Sequence, residues 1–256
     1  MTDHAKAFTA TMEEAARDLA VRPWEVFGDW CEMAYCTLAA LSQAPARRER
    51  YEERYMKLAG RYRGNLDKFT KMLGQTTLAL QADERRDFLG TIYEASGFSV
   101  RKYGGQFWTP TQLAEVMARI SMTDGDRTTE IITVADPCCG SGRLLLAACK
   151  VLEENGVVVA ERVWTDSTDI DAVCAQITYV QLSLAGVPGI VRHADTLSGE
   201  TYDWAITPAG VRLYSASQAL RSWLDGGGER TEAGAAPPKA LAPPPAGQPV
   251  QIDMFG

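Results

Sequence analysis

Apolar residues return at steps of three and four through the first hundred positions, then gather in short β-branched runs separated by glycine turns, and finally give way to proline, glycine and alanine. From about Ala10 to Ser96 the punctuation is helical. Leu19, Trp24, Phe27, Trp30, Cys31, Ala34, Leu38 and Leu41 form one stripe on a long helix that begins near Pro23, and such a stripe reads as core. A further helical stretch, Asp87 to Glu94, leads into Gly104-Gly105. Gln112 to Ala118 is amphipathic, with Thr109 or Thr111 as cap and Pro110 near its first turn. Ile131 to Val134 then predicts a buried strand, and Leu144 to Cys149 a helix. Val157 to Val159, Val163 and Trp164 lead into a second strand ending at Thr165 to Asp171. A helix from Ala172 to Leu184 stops at Gly186, and Gly189 to Leu197 and Tyr202 to Ile206 read as third and fourth strands. Val211 to Leu224 reads as one last helix. Strands alternating with helices predict an α/β fold with a parallel sheet and its ligand at the carboxyl edge.

The chemistry concentrates between the first strand and its helix, in Asp136-Pro137-Cys138-Cys139-Gly140-Ser141-Gly142. Gly140 and Gly142 let the backbone turn sharply and approach a ligand, while the helix start offers free N–H groups. Asp136 ends the strand, where a carboxylate reaches a ligand's cationic or hydroxyl group. Asp169 ends the second strand, where a ribose lies across parallel strands in doubly wound sheets, and Asp195 ends the third.

The chain has 256 residues and a net charge of -7, so it does not coat nucleic acid by bulk charge. One local segment departs from that average. Arg47, Arg48, Arg50, Arg54, Lys57, Arg61, Arg63, Lys68 and Lys71 stand against few acids, with Tyr51, Tyr55 and Tyr62 interleaved. This is either a phosphate-binding face or a solvated helix with intrahelical ion pairs. No apolar run has membrane-spanning length and no signal peptide opens the chain, so a cytoplasmic protein without membrane contact is expected. Six cysteines show no Cys-x-x-Cys spacing and only two histidines accompany them, so buried free thiols are expected and no metal site.

Several of these segments, taken in order, resemble the N-6 adenine DNA methyltransferases. The likeness is to the modification subunits of type I restriction systems and their short relatives from phages or mobile elements. Gly105-Gln106-Phe107-Trp108-Thr109-Pro110 is similar to the family's Gly-Gln-Phe-Phe-Thr-Pro segment, and Asp136 to Gly142 to its Asp-Pro-x-Cys-Gly-Ser-Gly loop. The resemblance implies an S-adenosyl-L-methionine site held by Gln106, Phe107, Thr109 and Pro110 together with Asp136, Pro137, Cys138, Gly140, Ser141 and Gly142. It further implies Asp169 on the ribose, Ile170 against the adenine ring and Asp195 on its amino group. It implies DNA as partner, and a specificity or restriction subunit, in modification or restriction evasion. The family places an Asn or Asp, two prolines and an aromatic after the fourth strand; this chain has Ile206-Thr207-Pro208-Ala209, leaving Thr207 and Pro208 as a degenerate catalytic pair. The alternative is a catalytically silent module that keeps the cofactor fold.

The expected organisation is a helical region over 1–103, a truncated Rossmann-like methyltransferase sheet over 104–224, and a disordered tail over 225–256 rich in proline, glycine and alanine. The tail ends in Gln251-Ile252-Asp253-Met254-Phe255-Gly256, which resembles the peptide that binds the bacterial sliding clamp. Gln251 supplies its hydrogen bond and Met254 and Phe255 its apolar anchors.

Overall fold

The structure is a computed structural model, and it describes residues 2–83, 85–98, 108–121 and 131–217. Five helices come first: α1 (Asp3–Asp18), α2 (Pro23–Ser42), α3 (Pro45–Arg61), α4 (Leu66–Ala82) and α5 (Phe88–Ala95). Their starts follow ordinary capping chemistry. Thr2 accepts from the Ala5 N–H before α1, proline opens α2 and α3, and the Asp87 carboxylate caps α5 through the Gly90 N–H. The α2 stripe is buried at Phe27, Trp30, Cys31 and Ala34 as its period predicts, whereas Leu41 is exposed. Trp30 carries its polar atom into the core satisfied, its Nε1–H donating to the Phe69 carbonyl at 3.1 Å.

α6 (Thr111–Ser121) lays Ala114 and Ala118 against α7 (Arg143–Glu154), which follows β1 (Ile132–Asp136). A single helical turn, α8 (Val159–Arg162), precedes β2 (Val163–Asp169). It occupies residues whose apolar run reads as a lead into the strand. Then come α9 (Ala172–Leu184), β3 (Gly189–Ala194), β4 (Thr201–Ile206) and α10 (Pro208–Ala216). α10 begins three residues before the expected helix, because Thr207 caps it and Pro208 fits its first position.

The sheet runs β1-β2-β3-β4. β1, β2 and β3 are parallel, with Asp136 level with Ser167, and Asp169 level with His193. β4 departs from the expected parallel sheet: it is antiparallel to β3, with Ile190 opposite Ile206 and His193 opposite Asp203. The physical reason is the connection between them. Only Asp195 to Glu200 lie there, and a parallel crossover needs about a dozen residues or more.

One continuous apolar core joins α1–α5 to β1, β2, α7 and α9, so the helical region and the sheet form one packed unit across position 103. A second, smaller cluster of Trp164, Ile190, Trp204, Ile206 and Leu213 sits under α10. Among the described residues no helix is long and apolar enough to cross a membrane.

Candidate functional site

The parallel strands deliver Asp136 and Asp169 to the same carboxyl edge, and the loop after β1 closes over both. Asp136 is 1% exposed. Its Oδ1 accepts from the Cys138 N–H at 3.1 Å, while Oδ2 is buried with no hydrogen-bond partner. Burial, with the neighbouring Asp169 charge, pushes this carboxyl up to about 6 against the Cys138 bond. Asp169 is bound on both oxygens, Oδ2 accepting from Gly140 N–H at 2.8 Å and Oδ1 from Asp171 N–H at 2.8 Å. Burial raises its pKa as well.

The loop needs its glycines. Gly140 has φ 54° and Gly142 φ 81°, both in the left-handed region. A Cβ on Gly142 would also lie 3.1 Å from Thr178 Cγ2. Thr178 holds the turn from the other side, its hydroxyl donating to the Gly140 carbonyl at 2.9 Å. Trp108 covers Gly140 and packs edge-on against Tyr93; its Nε1 is buried without a partner.

Beneath the loop lies a network centred on Asp87, a residue no motif singled out. Its carboxylate accepts from Ser141 Oγ at 2.7 Å, Arg143 Nε at 2.7 Å, Gln181 Nε2 at 3.0 Å and the Gly90 N–H at 2.9 Å. Arg143 extends it to Glu94 at 3.1 Å and to the Thr109 carbonyl at 2.6 Å. The helical region thus fixes the glycine loop through a buried ion pair. The visible signal was an aspartate before an apolar helix start, which marks a cap; its second role needs partners 54 to 94 residues away.

Of the residues named from sequence, Asp136, Pro137, Cys138, Gly140, Ser141, Gly142, Asp169 and Ile170 meet at this edge. Ser141 turns its hydroxyl inward to Asp87, and Ile170 is 63% exposed beside Asp169. Pro137 accepts from Thr196 Oγ1 at 2.6 Å, which ties the β3–β4 turn to the loop. Asp195 spends its Oδ1 on the Leu197 and Ser198 N–H groups of that turn, and the Leu197 bond foremost holds its pKa below the usual carboxylate range. Thr109 and Pro110 lie alongside through Arg143. Gln106, Phe107, Gln251, Met254 and Phe255 lie outside the described residues.

Thr207 and Pro208 are not brought here. Because β4 runs antiparallel, they stand at the amino end of β3, the opposite end of the sheet from Asp136 and Asp169. Thr207 is fully buried. Its hydroxyl donates to the Val187 carbonyl at 2.7 Å and accepts from the Gly189 and Gly210 N–H groups at 3.1 Å each. That is a structural cap.

Two further readings change. Five cysteines are buried free thiols, but Cys138 is exposed, carried outward at the tip of the loop. Four of the nine basic residues of that segment, Arg47, Arg54, Arg61 and Lys68, form ion pairs to other elements rather than within one helix. Arg54 binds Glu32 and Asp203, Arg61 binds Glu25 and Asp29, and Lys68 on α4 binds Asp18. Arg47 donates to Tyr51 and the Trp204 carbonyl.

A glycine turn and two acidic residues at the carboxyl edge of a parallel half-sheet stand where doubly wound folds place nucleotide-type ligands. Residues 84–208, 125 of the 256 in the chain, match the family model described as N-6 DNA Methylase. A curated relative is the type I restriction enzyme MjaIX methylase subunit of Methanocaldococcus jannaschii, 28% identical over 124 residues. That match takes in 46% of this chain and 20% of the relative, so the chain spans about a fifth of its length. Among solved structures, a type I restriction-modification methyltransferase subunit from Streptococcus thermophilus aligns with a TM-score of 0.39 and 21% identity, over 71% of this chain and 36% of that one.

Proposed function

We propose that the carboxyl edge of the sheet holds S-adenosyl-L-methionine and that the chain serves a DNA-modification system as a cofactor-binding member, with Thr207 and Pro208 in a structural role only. One observation carries the reading: a buried Asp136 oxygen without a partner, beside a turn whose glycines leave room for a ligand. A buried acceptor left unbonded costs roughly 1–3 kcal/mol, which a ligand's ammonium or hydroxyl donor removes. The Trp108 Nε1–H is a second orphan nearby, on the other side of Gly140. The donor set fits the cofactor: Asp136 toward the amino-acid end, Asp169 toward the ribose, and Ile170 as an apolar surface for the adenine ring. When bound, the cofactor supplies a methyl group on a sulfonium.

The family match supports DNA as the macromolecule concerned, with a specificity or restriction subunit as partner, and the tail adds the sliding clamp as a further proposed partner. The clamp contact rests on Gln251, Met254 and Phe255 and on sequence alone. Retention on clamp resin that is unchanged when Gln251 and Phe255 become alanine would remove it.

The test uses radiolabelled S-adenosyl-L-methionine and unmethylated DNA with the full chain in one sample. Label retained on the protein and absent from DNA is the expected result. Labelled DNA would overturn the structural role of Thr207, and no retained label would overturn the cofactor site. The competing reading, an active adenine methyltransferase, predicts labelled DNA and a loss of transfer in Thr207→Val greater than its loss of folded protein.

A further inference from the structure

A cavity of about 480 Å³ opens between α2, the end of α5 and the first turn of α9. Its floor is aromatic. Phe27 stacks on Tyr93 with centroids 5.5 Å apart, and Phe98 leans on both. Trp24, 41% exposed, stands at its rim. Above the rings are Glu25, Asp29 and Glu32 against one lining cation among the described residues, Arg61.

The ion pairs leave acceptors to spare. Arg61 takes Asp29 Oδ2 at 2.7 Å and Glu25 Oε2 at 3.2 Å, and Tyr62 also donates to Asp29 Oδ2. Arg54 takes Glu32 Oε1 at 3.1 Å but is bound to Asp203 at 2.6 Å as well. Asp29 Oδ1 and Glu32 Oε2 make no hydrogen bond among the described residues. A separate observation points the same way. Gln176 on α9 lines the cavity, is only 7% exposed, and its amide makes no hydrogen bond to any described residue. Its oxygen and its amino group are left to the cavity, where a ligand that enters can take their hydrogen bonds.

We propose that this cavity is a binding site for an organic cation, an ammonium or guanidinium on a short apolar stem such as an arginine or lysine side chain presents. The aromatic rings receive the stem and the cation's face, the spare carboxylate oxygens take its N–H groups, and the Gln176 carbonyl takes one more. An anion is opposed by three carboxylates. The inference does not depend on the cofactor reading.

The test titrates the full chain with Nα-acetyl-argininamide and with its neutral isostere, Nα-acetyl-citrullinamide, following the Trp24 indole signal by NMR. Saturable binding of the arginine probe, with the citrulline probe weaker by about tenfold or more, is expected. Equal affinities, or no saturable shift at Trp24, would overturn the proposal. Gln176→Leu breaks no hydrogen bond to a described residue, so its melting temperature should stay close to that of the wild type while the arginine probe binds at least about threefold more weakly. Unchanged probe binding in that variant would contradict the role given to the amide. Displacement of the probe by adenosine would make this a neutral-base site instead, and competitive displacement by S-adenosyl-L-methionine would merge it with the carboxyl-edge site. Either result overturns the proposal.

Discussion

Replacing Asp87 by alanine is the most demanding perturbation this fold offers. Arg143 is 9% exposed and Asp87 2%, and their oxygen and nitrogen lie 2.7 Å apart. Truncation strands a guanidinium whose other anionic partner, Glu94, is 47% exposed and therefore screened. Breaking a buried pair from one side costs about 3–5 kcal/mol, because the remaining charge stays desolvated. The same change frees Ser141 Oγ and the Gly90 N–H and leaves Gln181 Nε2 with only its bond to the Ser141 carbonyl, which pushes the loss toward the upper end of that range. For a domain of this size each kcal/mol lowers the melting temperature by roughly 2–4 °C. Urea denaturation of Asp87→Ala should therefore show a fall of about 3–5 kcal/mol. Asp87→Ala combined with Arg143→Met should lose less than the sum of the singles, since the uncompensated charge is gone. A fall under about 1 kcal/mol, or strict additivity, would refute the claim that this pair anchors the loop.

Asp136 makes stability depend on pH in a definite direction. Its folded pKa of about 6 lies above its usual 3.8, so the folded state holds the proton more tightly, and this contribution is complete below pH 4 and lost as pH rises through 6. Subtracting the pH–stability curve of Asp136→Asn from that of the wild type should leave a decline of about 2–3 kcal/mol across that window; a flat difference contradicts it. Gly142→Ala forces a Cβ into the left-handed region against Thr178 and should cost about 1–2 kcal/mol by thermal melting while weakening cofactor binding. Thr207→Val removes three hydrogen bonds at the far end of the sheet and should cost about 1–3 kcal/mol with cofactor affinity unchanged. A weaker affinity with unchanged stability would reverse that assignment.

What the sequence disclosed and what it hid follow from the range of the interactions. The loop after β1 is local: strand, aspartate, paired glycines and helix are contiguous, so its conformation was legible. So was the burial of α2, whose period is a property of one helix. The direction of β4 was obscured because Asp195 to Leu197 read as the end of a third strand rather than as part of a short hairpin connection. Once that turn forms, Thr207 is carried away from Asp136 whatever its resemblance to a motif. The pairing of the arginines was hidden for the opposite reason. Arg54 and Asp203 are 149 residues apart, and no local pattern announces such a pair. Asp87 combines both cases, legible as a cap and silent as the partner of Arg143.

Calorimetric titration of S-adenosyl-L-methionine into the full chain and into Asp136→Ala tests the central claim most directly. The account predicts one saturable site in the wild type and an affinity lower by about tenfold or more in the variant. Equal affinity in the two proteins, or no binding to the wild type, would contradict it.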